Sequence, residues 1–154
     1  MTIRDAIASH HFFAGLDPAH VERLARCATE EHFPAGRYLL REGEPAGTFR
    51  VLTAGDVALQ VHTPGKGIVR IETLHGGDVL GWSWMFPPYR WQFDAYALNA
   101  VNAIAFPGVW IREECEADPA FGYQLVRRVA AVMMDRLQHT RLRLLNMDGD
   151  VART

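Results

Sequence analysis

Gly76–Ala97 reads GGDVLGWSWMFPPYRWQFDAYA, and the rest of the chain is read outward from it. Three of the four tryptophans (Trp82, Trp84, Trp91), two prolines and Arg90 fall within ten residues. Core strands are not built this way. Pro87 and Pro88 cannot donate ladder hydrogen bonds, so the segment must leave any regular strand and loop outward. Aromatic rings beside one arginine suit a pocket wall with a cation at its base, a composition for an anionic or planar ligand. The same residues also suit a small aromatic cluster that closes the end of a β-roll, with Arg90 solvated at its edge.

On either side of this stretch the sequence is strand-like. Val57, Leu59 and Val61 alternate with Ala58, Gln60 and His62, and Pro64-Gly65-Lys66-Gly67 is a hairpin turn into Ile68–Leu74. Gly55-Asp56 and Gly76-Gly77-Asp78 punctuate the other runs between Phe33 and Phe106. Short strands at this spacing predict a jelly roll or barrel. Helices flank them. Asp17-Pro18 supplies an N-cap and a proline at the first helical position, with Val21, Leu24, Ala25 and Ala28 as the apolar face. Asp118-Pro119 repeats that signal, and nothing breaks the helix to about Asn146. Val126, Val129, Met133, Leu137, Thr140, Leu144 and Met147 recur there at spacings of three and four. Such a helix, roughly 28 residues and about 42 Å long, outreaches a domain of this size. Its stripe either pairs with a second copy or ends as a solvated tail.

The central stretch resembles the phosphate-binding cassette of cyclic-nucleotide-binding domains of the catabolite-activator and kinase-regulatory type. The likeness lies in a strand ending in Gly77-Asp78, an apolar step, Gly81, a loop to Arg90 and an alternating strand. It extends to His11-Phe12-Phe13-Ala14-Gly15-Leu16, to Gly36–Glu44 and to Phe49–Val57, and so covers roughly residues 10–146. The resemblance implies a mainly β fold with flanking helices: a jelly roll (double-stranded β-helix) with an N-terminal helix and a long C-terminal helix. The expected layout is one domain over residues 1–154. A helical segment spans 1–30, the roll 31–107 with its cassette at 76–92, the C-terminal helices 108–147 and a tail 148–154.

What the resemblance implies about ligands is a pocket at Gly81, Trp82, Ser83, Trp84 and Arg90, with Thr140 of the long helix where a hydroxyl meets the base. In the family, exposed backbone N–H groups and an arginine hold the cyclic phosphate. Two departures fall on these contacts. Trp82 stands where the family places the glutamate that accepts from the ribose, and an indole is a donor only. Arg90 stands one residue before the family's arginine position, which Trp91 occupies. Arg136–Arg141 resembles the region that touches the nucleotide base. The activator family's long helix leads on to a DNA-reading helix-turn-helix, for which residues 148–154 leave no room, so no direct DNA binding is expected.

Composition narrows the classes further. A length of 154 residues suffices for one core that buries about 70% of the unfolded chain's surface. A net charge of −2 argues against an electrostatic nucleic-acid binder. Cys27 and Cys115 read as separate packed thiols. No signal-peptide core or membrane-length apolar run occurs, which gives a cytoplasmic expectation. Seven histidines form no H-x-H…E metal pattern, and Ser83 lacks the second glycine of a nucleophile elbow. No catalytic residues or metal ligands are expected, and no cofactor is identified. The expected function is a non-catalytic sensor of a small molecule, a nucleotide among the candidates, that signals as a homodimer to a separate protein partner. The alternatives are a ligand-free module for protein assembly with Trp82 and Trp84 filling the pocket, and a haem or planar-ligand sensor.

Overall fold

The computed structural model describes residues 2–153, with side chains to Asn146. Two short helices and a turn open the chain: α1 (Ile3–Ser9), a 3-10 turn (His11–Phe13) and α2 (Pro18–Cys27). Thr2 caps α1 in a reciprocal box with Asp5, and the Asp17 side chain caps α2 through the Ala19 N–H. Seven strands follow, β1 (Thr29–Phe33), β2 (Tyr38–Leu40), β3 (Thr48–Ala54), β4 (Asp56–Thr63), β5 (Gly67–His75), β6 (Asp94–Ala97) and β7 (Val101–Pro107). Then come α3 (Gly108–Ala117) and α4 (Pro119–Arg153).

The strands form two antiparallel sheets, ordered β1-β7-β3 and β2-β6-β4-β5, which is the expected jelly-roll architecture. The β4–β5 hairpin turns at Gly65 and Gly67, both at positive φ, where glycine is at no disadvantage. Gly55 matters more. Its φ is +93°, and a Cβ there would sit 2.3 Å from the Ala100 carbonyl oxygen. The β3–β4 corner therefore closes directly on the loop before β7.

An aromatic column fills one end of the roll. Phe12 and Phe13 meet Phe49 and Phe106 edge-on, with the Phe12–Phe49 centroids 5.4 Å apart and the Phe13–Phe106 centroids 5.7 Å apart. Phe12 and Phe13, with His10, thus plug the core, while His11 between them is exposed. His10 is itself buried. Its Nδ1 accepts from the Phe12 N–H at 3.1 Å, so the other ring nitrogen carries the proton and donates to the Leu52 carbonyl at 2.8 Å.

Helix α4 departs from the single stripe expected of it. Phe121, Leu125 and Val129 are buried against the roll, and Val132, Met133 and Arg136 are half-buried. Val126, Leu137 and Leu144 instead lie on a second, exposed face together with Tyr123 and Met134. The helix has two apolar faces because it continues past the roll. From Leu137 to Asn146 every residue is exposed. Met147 falls beyond the described side chains. The helix runs to Arg153 through the expected tail, since Gly149 weakens a helix by only about 1 kcal/mol and no proline interrupts it.

Candidate functional site

The cassette is the connection from β5 to β6, and main-chain bonds fix it at both ends. At its entry, Gly77 N–H donates to Leu52, Leu52 N–H to Asp78 and Leu80 N–H to Arg50, so residues 77–80 lie along β3. The Asp78 carboxylate tightens the turn by accepting from the His75 N–H at 2.8 Å. At its exit, Ala46 N–H donates to Tyr89, Trp91 N–H to Glu44 and Gly43 N–H to Trp91. Between these anchors the chain makes a tight turn at Trp82–Met85, a second at Phe86–Tyr89 with a cis Pro87–Pro88 bond, and places Tyr89 at φ 55°.

Each expected site residue has a definite place. Gly81 packs under the rings of Trp91 and Phe93, where a Cβ would come within 3.1 Å and 3.2 Å. Trp84 is 1% exposed. Its ring stacks on Phe49 with centroids 4.8 Å apart, and its indole N–H donates to the Gly81 carbonyl at 3.1 Å. Trp82 and Ser83 are half-buried at the turn. Arg90 is exposed and donates to the Gly43 carbonyl at 3.1 Å. Thr140 lies apart, exposed on α4, with its hydroxyl donating to Arg136 in its own helix at 2.9 Å. Gly81, Trp82, Ser83 and Trp84 are therefore contiguous, whereas Arg90 holds the rim and Thr140 stands outside the cluster. Among the described residues, the backbone N–H groups of Trp82, Ser83 and Trp84 have no intramolecular acceptor.

Two arginines that the sequence reading did not single out as contacts grip the cassette. Arg136 of α4 lies over the Trp82 ring, 5.0 Å from its centroid, and donates to the Val79 carbonyl. Burial lowers its pKa, while Glu72 and Asp78 act in the opposite direction. Arg112 of α3 donates to the Trp84 carbonyl and covers the Tyr89 ring at 4.0 Å. The signal available in the sequence was slight, since an arginine on a predicted helix is usually solvated.

Other chemistry is muted. Burial pushes the thiols of Cys27 and Cys115 up to about 11, which suppresses thiolate reactivity. Among the described residues, no group of three or more His, Cys, Asp or Glu is placed to hold a metal ion. Among the same residues, no helix is long and apolar enough to cross a membrane.

Comparison with known proteins agrees with this geometry. A profile of the cyclic nucleotide-binding domain family matches residues 30–118, more than half of the chain. No curated protein matches it by sequence. Among solved structures, a putative cyclic nucleotide-binding protein from Geobacter metallireducens superposes with a TM-score of 0.80 at 26% identity, over 89% of this chain and 99% of that one. A cyclic nucleotide-binding domain from Methylobacillus flagellatus gives 0.79 at 19% identity, over 94% and 80%. The regulatory domain of Toxoplasma gondii PKA, solved with cAMP, gives 0.67 at 18% identity, over 83% and 48%. With its two antiparallel sheets, its cassette between β5 and β6 and its long final helix, the chain belongs to the cyclic nucleotide-binding domain family.

Proposed function

We propose that this chain is a non-catalytic regulatory domain, one that senses a small anionic or planar molecule at its cassette and signals through a homodimer of α4 to a separate protein partner. The observation that carries the reading is the double grip on the cassette, Arg136 from α4 on Trp82 and Val79 and Arg112 from α3 on Trp84 and Tyr89. A ligand that repositions the turn must act on both helices. The open N–H groups of Trp82, Ser83 and Trp84 suit an anion, with Arg90 as the cassette's own cation. The exposed face of α4 supports the dimer: Met134, Leu137 and Leu144 are 62%, 61% and 56% exposed. Each such side chain contributes about 1.5–3 kcal/mol when buried, enough for a few to offset the cost of association.

A second reading has one specific observation in its favour. Trp84 is packed into the core, and clefts of about 710 and 390 Å³ are lined by neither Gly81 nor Arg90. That arrangement fits a ligand-free module acting in protein assembly. A thermal-shift screen of cyclic nucleotides, other nucleotides and haem separates the two. Ligand at a hundred times its Kd raises stability by about 2.7 kcal/mol, and a flat response across the screen selects the assembly module.

A further inference from the structure

The cleft of about 710 Å³ lies on the other flank of α4, between that helix, the His11–Phe13 turn and the end of β5. Its size is that of a small-molecule site. At about 100° per residue, the lining positions Gln124, Arg128, Ala131, Asp135 and His139 sit about 150° round the helix from Val126, Met134, Leu137 and Leu144. Arg127, seven residues before Met134 and thus about 20° from it, borders that face, so an α4 dimer would leave all but this edge of the cleft open.

Its two ends differ in charge. At one end stand Arg127, Arg128 and His11. Arg128 is fixed there, its guanidinium donating to the Ala14 carbonyl at 2.9 Å and to the Gln124 side chain at 2.9 Å. Among the described residues, no carboxylate lies within 4.0 Å of either arginine. Two neighbouring guanidinium groups without a counter-charge make an anion subsite, and among the described residues the Arg127 donor fork has no hydrogen-bond acceptor. At the other end stand Glu72, Asp78 and Asp135, with Arg136, His75 and His139 beside them. Glu72 and Asp78 face the charge of Arg136, but among the described residues neither Glu72 nor Asp135 forms an ion pair within that distance. Glu72 and Asp135 are acceptors for a hydroxyl or an amine. Between them the floor is apolar: Phe12, Leu74 and Val132. Arg127 and Asp135 are eight residues apart, about 12 Å along the axis. Ala131 sits midway with a side chain too small to fill the space.

We propose that this cleft, which borders the cassette's entry at Gly77–Val79 but lies apart from its Gly81–Arg90 turns, is a second binding site for an elongated organic anion, with its carboxylate or phosphoryl group on Arg127 and Arg128 and a hydroxyl or amino group on Glu72 and Asp135. The site goes beyond the sensing function assigned to the cassette and does not depend on it.

The test is an NMR titration of the ¹⁵N-labelled full chain with 8-hydroxyoctanoate and, separately, 8-hydroxyoctyl phosphate. The expected result is saturable shifts for at least one probe at the amides of residues 11–14, 72–79 and 124–139, and the tighter probe names the head group. Octane-1,8-diol, which lacks the anion, should bind at least about tenfold more weakly, as should either probe to Arg127→Glu. Ala131→Trp, at an exposed position, should abolish the shifts by filling the cleft. The proposal is overturned if neither probe saturates, or if the shifts centre on Gly81–Arg90 or on the Val126–Leu144 face. Equal binding of the diol, or unchanged binding to Arg127→Glu, overturns it as well.

Discussion

Replacing Trp84 with alanine should cost most of the cassette's anchorage and a large part of the fold's stability. The ring is 1% exposed, stacks on Phe49 at 4.8 Å and donates its N–H to the Gly81 carbonyl. Deleting a buried aromatic ring costs about 3–5 kcal/mol through lost burial and the residual cavity. The Gly81 carbonyl is left without its donor, which adds about 1 kcal/mol or more where water does not enter. Against a total stability of about 5–15 kcal/mol, that is about a quarter of the fold or more. Trp84→Phe keeps a ring against Phe49 but loses the donor and part of the indole's volume; a smaller loss of about 1–3 kcal/mol is expected. Urea unfolding of both variants, followed by far-UV circular dichroism, measures the pair, with unchanged m-values confirming that stability alone has moved. A loss below about 1 kcal/mol for Trp84→Ala would refute the reasoning, since the indole would then be no part of the packed core.

Four further outcomes follow from the same geometry. Arg112→Ala should remove the donor on the Trp84 carbonyl and raise hydrogen exchange at the Met85 and Tyr89 amides that close the two turns, and unchanged protection there would exclude the clamp. Gly55→Ala must place a side chain against the Ala100 carbonyl at φ +93°, so a loss of at least about 2 kcal/mol is expected by thermal melting. Burial holds the pKa of His10 below its ordinary value; the unfolded chain then takes up its proton first, and stability should fall as pH drops below about 6.5, a slope that His10→Gln should flatten. Cyclic AMP should bind weakly, because Trp82 offers no acceptor to a ribose hydroxyl. That deficit is about 1.5–3 kcal/mol, or roughly ten- to a hundredfold, and calorimetry returning a micromolar or tighter Kd would contradict it.

The strands, their turns and both proline-led helices were legible because their signals are local. Asp17-Pro18 and Asp118-Pro119 carry their own caps, with the Phe121 N–H donating to the Asp118 side chain at 3.3 Å. The cassette was legible through its Gly-Asp turn and its prolines. What stayed hidden depends on distant partners. Arg136 and Val79 are 57 residues apart, and Arg128 reaches across 114 residues to Ala14. No periodicity encodes such contacts. The α4 stripe misled for a related reason. Spacings of three and four fit either of two neighbouring faces, and only the position of the roll shows that Val129 and Met133 turn inward while Val126 and Leu137 do not.

Both gripping arginines bind main-chain carbonyls, and on the proposed sensor reading this decides what the cassette would report. A side-chain partner could swing away with its rotamer and leave the helix unmoved. The carbonyls of Val79 and Trp84 move only when the backbone of the turn moves. Arg136 holds the turn near its entry from α4, and Arg112 holds its middle from α3; the two helices share the joint at Asp118, which Arg23 of α2 pins at 3.0 Å. A shift of the turn of even an ångström would lengthen two charge-assisted bonds at once, each worth about 1.5–3 kcal/mol. Moving α4 and α3 together about their joint at Asp118 would relieve both, and would carry the exposed face of Met134, Leu137 and Leu144 with it. Coupling built this way answers to the position of the cassette backbone, whatever ligand sets it. On the proposed sensor reading, Trp82 in place of the family's glutamate would change which molecule binds without severing a route from the cassette to the long helix.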